Sequence, residues 1–124
     1  MKNNNPFKIH RGVRLNGKFF TENEILNPQF ETYKLRQNQI DALAFTAQLM
    51  GANGQITAQT SGSTGTPKTM NFPTQAVYKS ATATNSFFGL DKNSVAMMAL
   101  PINYIAGKMM VARSIAGNYN LVVR

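Results

Sequence analysis

Residues 60–69 read TSGSTGTPKT. Counted from Gly62, the stretch fits the Walker A pattern G-x-x-x-x-G-K-[ST] everywhere except Pro67, which stands where the last glycine belongs. That glycine offers a backbone N–H to phosphate and needs a permissive φ. Proline has neither property. A Walker Lys-Thr pair also opens a helix whose N-terminus faces the phosphates. Here the chain runs on through Thr69-Met70-Asn71-Phe72 to Pro73, β-prone and closed by proline. The next apolar stretch, 94–101 (SVAMMALP), carries no aspartate for magnesium. A degenerate P-loop is therefore the weaker alternative.

A loop between two strands makes better use of the same residues. The run 55–60 (QITAQT) reads as a strand entering it and 68–73 (KTMNFP) as a strand leaving it. Gly62 and Gly65 let the backbone fold tightly around an anion. Thr60, Ser61, Ser63, Thr64 and Thr66 supply hydroxyls and amides, Pro67 stiffens the exit, and Lys68 adds a charged contact. Such a loop can wrap the β- and γ-phosphates of ATP while AMP is transferred.

Outward from the loop, periodicity predicts an α/β layered sheet flanked by helices. Asn16-Gly17 between β-prone runs predicts a hairpin with a type I′ turn. Residues 20–30 (FTENEILNPQF) read as a connection with a helical turn. Between Glu31 and Met50, the positions Ile40, Leu43, Ala44, Ala47 and Met50 mark one face of a helix, stopped by Gly51. Thr74 is expected to cap a helix over Gln75–Phe88, with Gly89 as its stop. SVAMMALP reads as a strand covered on both faces. Ile105–Ala116 is a second helical pattern stopped by Gly117. The closing run YNLVVR is strand-like and apolar, which implies either an edge strand or a piece of a longer chain. The chain divides into 1–54, a hairpin and a helix, and 55–124, the loop and a β-α-β-α-β segment.

The bulk numbers narrow the field. The 124 residues suffice for one modest domain with one core. No apolar run approaches the ~18–20 residues of a membrane span, and the N-terminus has no signal-peptide core. There is no cysteine, hence no disulfide and no thiolate metal site. Together these lead us to expect a cytoplasmic protein without a membrane partner. Thirteen Lys and Arg against five Asp and Glu leave a net charge of +8, which favours phosphate-bearing partners. The basic residues are scattered and no RNA-stacking motif is present, so nucleic acid is not expected. A basic binding module without chemistry remains a further alternative. The acidic residues form no paired constellation and no metal site. His10, Met97-Met98, Met109-Met110 and Arg113 read as packing or surface residues.

Thr60 to Lys68 resembles the phosphate-binding signature T-S-G-[ST]-T-G-x-P-K-G of the acyl-adenylate-forming enzymes, which include acyl-CoA synthetases, luciferases and peptide-synthetase adenylation domains. Thr69 departs from it, where the family usually has glycine. A second match, Leu100 to Gly107 (LPINYIAG), is similar to the family's L-P-x-x-H-x-x-G segment, with Tyr104 at the substrate-side position and Gly107 permitting close backbone approach. The short N-terminus together with residues 100–123 (LPINYIAGKMMVARSIAGNYNLVV) is most similar to o-succinylbenzoate–CoA ligases of menaquinone biosynthesis. The resemblance implies a part of the large N-terminal AMP-binding domain of such a ligase, acting on a carboxylate with ATP, Mg2+ and coenzyme A. Nucleotide contacts are implied for Thr60, Ser61, Gly62, Ser63, Thr64, Gly65, Thr66 and Lys68, and substrate contacts for Tyr104 and Gly107. The family's adenine, ribose and catalytic-lysine segments are absent. The sequence therefore reads as an N-terminal fragment with no catalytic residue, inactive alone, whose open sheet edges favour self-association.

Overall fold

A computed structural model of the chain describes residues 5–27, 34–60 and 65–124. Asn16 (φ 50°) and Gly17 (φ 85°) turn the chain as expected. They join β1 (Gly12–Leu15) to β2 (Lys18–Thr21) in antiparallel register. Thr21 then caps α1 (Glu22–Leu26) in a capping box with Glu24, so the connection does hold a helical turn. Next comes α2 (Gln37–Gly51), then a second hairpin of β3 (Gln55–Thr60) and β4 (Lys68–Pro73). The order continues with α3 (Thr74–Phe88), β5 (Val95–Met98), α4 (Ile105–Gly117) and β6 (Asn120–Val123).

The main sheet has the order β2-β1-β6-β5, with β6 parallel to both β1 and β5. One face carries Val13, Leu15, Phe20, Met98, Leu121 and Val123, all buried, and α2 and α4 pack on the strands that bear them. The β3–β4 hairpin forms a separate two-stranded sheet against α3 and α4. Asn5 ties the start of the described chain to this core. Its amide donates to the carbonyls of Leu49 and Met50, at 2.7 and 3.0 Å, where α2 has run out of intrahelical partners.

Several expectations need correction. β6 is neither an edge nor short of neighbours: β1 and β5 flank it, which accounts for its apolar composition. β5 is an edge strand among the described residues, as β2 is on the other side, and only its inward positions are covered. Val95 is 66% exposed and Met97 56%. In α2 the buried band is Ala42, Leu43, Phe45, Thr46, Leu49 and Met50, while Ala44 is exposed and Ile40 and Ala47 are half-buried. Phe45 and Leu49 have more apolar surface to hide than the alanines, so they set the helix's rotation. The segment 31–33, at the expected start of this helix, lies outside the described residues.

Thr74 is the first helical residue rather than the cap, since Pro73 precedes the helix. Its N–H donates to Gly54 O at 2.8 Å, and its buried hydroxyl has no partner among the described residues. Asn118 (φ 55°), not Gly117, takes the left-handed turn that ends α4. Gly117 is glycine for another reason: a Cβ there would lie 2.7 Å from the Tyr119 ring. Arg113 is half-buried and in no ion pair among the described residues, and its buried Nε lacks a hydrogen-bond partner there.

His10 sits at the end of a short 3-10 turn (Lys8–His10), not in a strand. Its Nε2 shares a 2.8 Å hydrogen bond with the Tyr78 hydroxyl of α3. Burial lowers the His10 pKa, because desolvation disfavours the imidazolium. The fold thus prefers neutral His10. Its contribution is complete above the unfolded-state pKa of about 6.5 and is lost as pH falls below it. The thermal midpoint should therefore drop from pH 7 to pH 5, and the drop should shrink in His10→Gln; an unchanged pH dependence in the variant would refute this.

Candidate functional site

The mouth of the β3–β4 hairpin is where the glycine-rich loop begins and ends. Thr60 is the last residue of β3 and pairs in register with Lys68, the first of β4. Ser61, Gly62, Ser63 and Thr64 lie outside the described residues. The remaining loop residues, Gly65, Thr66 and Pro67, are exposed, as is Lys68. Gly65 adopts φ +83°, with open space where a Cβ would stand. Glycine therefore serves here for backbone conformation rather than for packing.

Lys68 opens a strand and not a helix. No helix N-terminus follows the loop to face a phosphate, as a Walker A loop requires. The degenerate P-loop alternative fails on that observation. What the hairpin presents instead is an exposed loop mouth, with Thr60 half-buried on one side and the Lys68 ammonium on the other. Neither of the described salt bridges uses Lys68.

The second motif reaches the same place through the backbone. Tyr104 forms an isolated parallel bridge with Gln59, the residue before Thr60. Gln59 N–H donates to Asn103 O at 3.3 Å. The segment 100–107 is thus joined to β3 one residue ahead of the glycine-rich loop. Tyr104 is half-buried, immediately before α4, and its carbonyl accepts from Lys108 N–H at 3.1 Å. Gly107 is buried, and a Cβ there would meet Pro101 O at 2.0 Å and Pro101 C at 2.7 Å. The close approach that Gly107 permits is made by this chain's own backbone. The bridge through Gln59 and Asn103 has no sequence signal, because it is made by main-chain atoms.

Lys108 follows directly on α4, half-buried, with its Nζ 4.5 Å from the centroid of the Phe45 ring. Burial lowers its pKa, while the ring face offers it a compensating cation–π contact. It points toward α2 and so braces the helix that follows the motif. Among the described residues no three His, Cys, Asp or Glu lie together in a way that could hold a metal ion, and no helix is long and apolar enough to cross a membrane.

No protein-family model and no curated protein matches the sequence. Solved structures do match. One is an acyl-CoA synthetase (AMP-forming)/AMP-acid ligase II-like protein from Dyadobacter fermentans: TM-score 0.66, 29% identity, covering 72% of this chain and 25% of that one. The mixed α/β sheet flanked by helices matches the fold of the N-terminal domain of these acyl-CoA synthetase neighbours. A second neighbour, the o-succinylbenzoate coenzyme A synthetase of Bacillus subtilis in complex with ATP and magnesium ion, has a TM-score of 0.65 at 15% identity. That match covers 97% of this chain and 44% of the other, and it speaks to fold alone. The chain spans a quarter and 44% of the lengths of these two neighbours. The superfamily of AMP-forming acyl-CoA synthetases is thereby supported, at low identity and over part of each neighbour.

Proposed function

We propose that this chain is the N-terminal portion of the AMP-binding domain of an ATP-dependent carboxylate–CoA ligase, with o-succinylbenzoate as the acid. The hairpin and helix of residues 1–54 support the nucleotide-binding portion, 55–124. The loop from Thr60 to Lys68, including Ser61, Gly62, Ser63, Thr64, Gly65 and Thr66, grips the β- and γ-phosphates of ATP. Tyr104 faces the acid, and Gly107 holds the Tyr104 segment in place. The observation that carries this reading is the backbone bridge that fastens the Tyr104 segment to β3 one residue before the loop.

The reaction has two steps. A carboxylate oxygen attacks the α-phosphorus of ATP and pyrophosphate leaves, giving an acyl-adenylate. The coenzyme A thiol then attacks the acyl carbon, forming the thioester and releasing AMP. This chain's share is to hold the pyrophosphate end still, so that the α-phosphorus faces the acid. Lys68 takes up charge on the departing phosphates. Magnesium does not fit a site built from the described residues alone, which offer no cluster of carboxylates. The reading also places the protein in the cytoplasm, where ATP and coenzyme A are found together.

The test is product analysis. A ligase containing this segment should convert ATP, acid and coenzyme A to AMP, pyrophosphate and thioester, while residues 1–124 alone should release neither AMP nor ADP. Formation of ADP by either would overturn the assignment.

A further inference from the structure

Helix α3 buries one side only. Thr74, Val77, Ala81 and Asn85 are its buried residues. On the opposite side Ala76, Lys79, Ser80, Ala83, Ser86 and Phe87 share one stripe of the helical repeat, and all six are exposed. Phe87, at 81%, is the most open large apolar side chain among the described residues. Phe88 meets it edge-on, with ring centroids 5.0 Å apart. The helix carries no acidic residue, and Lys79 takes part in neither described salt bridge.

This stripe is complementary to itself when reversed. Lys79 stands four residues before Ala83 and Phe87 four residues after it. We propose that α3 is the face through which two copies of the chain pair, antiparallel about a two-fold axis at Ala83, each Lys79 ammonium lying over the other copy's Phe87 ring. Ser80 then meets Ser86, and Ala83 meets its own counterpart. These small side chains let the helix axes approach to ~8 Å, the near end of the usual range. Electrostatic complementarity selects this occupant. A ring face attracts a cation, and each copy brings one unpartnered example of both. The parallel arrangement would set lysine against lysine and is disfavoured. In the antiparallel one the two lysines are separated along the axis by ~12 Å, beyond the ~8 Å Debye length at physiological salt. An acidic partner would satisfy Lys79 alone, whereas a second copy satisfies lysine and ring together and closes after two subunits. The proposal does not draw on the ligase reading.

Sedimentation equilibrium of the 124-residue chain should show a monomer–dimer equilibrium. Lys79→Glu should weaken it about tenfold, because two cation–π contacts are lost per dimer. That variant also removes two units from the +8 net charge, so general repulsion alone would shift the affinity the other way. Phe87→Lys should weaken the dimer too, since it sets like charges against each other. The double variant Lys79→Glu, Phe87→Lys puts a carboxylate opposite an ammonium and should recover the parent affinity to within about threefold. Within one helix these positions lie eight residues apart, too far to pair, so recovery demands a second copy in this register. Both positions are exposed, so far-ultraviolet circular dichroism should stay that of the parent. A monomer at every concentration overturns the proposal. So does a dimer indifferent to Lys79→Glu, which would place the contact elsewhere, at the β5 edge for instance. Failure of the double variant to recover overturns the antiparallel pairing.

Discussion

Gly107→Ala is expected to lower the thermal midpoint by roughly 10 °C or more. A Cβ built there meets Pro101 O at 2.0 Å, and the atom in its way is backbone. A side-chain tip could rotate aside, but the Pro101 carbonyl already accepts from Tyr104 N–H at 3.4 Å. To make room, the turn before α4 must lift off the helix, taking the bridge to Gln59 with it. Overpacking of this kind costs ~1–3 kcal/mol and more where the backbone must shift, and each kcal/mol is worth about 3–6 °C in a domain of this size. Gly51 is the internal control. It is the last residue of α2, with open space where a Cβ would be. Gly51→Ala should therefore be neutral or stabilise by up to ~1 kcal/mol. Differential scanning calorimetry of the two variants checks both. Equal midpoints would mean that the Pro101 turn gives way freely and that Gly107 does not fix the motif.

How far the sequence reaches depends on whether a feature is local. Asn16-Gly17 determines its own turn through residues that tolerate positive φ, and Gly62 to Lys68 announces a strand–loop–strand unit because proline forbids the helical alternative. Both were legible. Val95 to Met98 was misleading, because an uninterrupted apolar run looks alike whether a sheet is covered on both faces or open on one. Only the neighbours of β5 decide that, and they come from distant sequence. The rotation of α2 was misjudged for a related reason: spacing picks a stripe, but the bulk of Phe45 and Leu49 picks which stripe goes in. The site was half legible. Residue types pointed to the loop and to Tyr104 separately, whereas their union through Gln59 and Asn103 is made by main-chain atoms that carry no residue signature. His10 pairing with Tyr78 was equally invisible, since the two lie 68 positions apart.

Lys68→Ala should slow adenylate formation tenfold to a hundredfold in a ligase that contains this segment. One charged hydrogen bond removed is worth ~1.5–3 kcal/mol, and each ~1.4 kcal/mol is a factor of ten in rate. The lysine is exposed at the first position of β4 and takes part in neither described salt bridge, so its loss should leave stability unchanged. The effect should thus appear in pyrophosphate exchange with no shift in thermal midpoint. Where it appears is informative. A contact made equally to bound ATP and to the departing pyrophosphate would raise KM for ATP and leave kcat alone, whereas one that tightens as charge builds on the leaving phosphates would lower kcat. The position of Lys68 at the loop's exit, directly after the φ-restricted Pro67, fixes where its backbone starts and argues for the second outcome. Lys92→Ala removes an equally exposed charge from the turn after α3 and should change nothing. An exchange rate unaffected by Lys68→Ala would mean that the loop does not hold the pyrophosphate end of ATP, and with it the nucleotide assignment of Thr60 to Lys68 would fall.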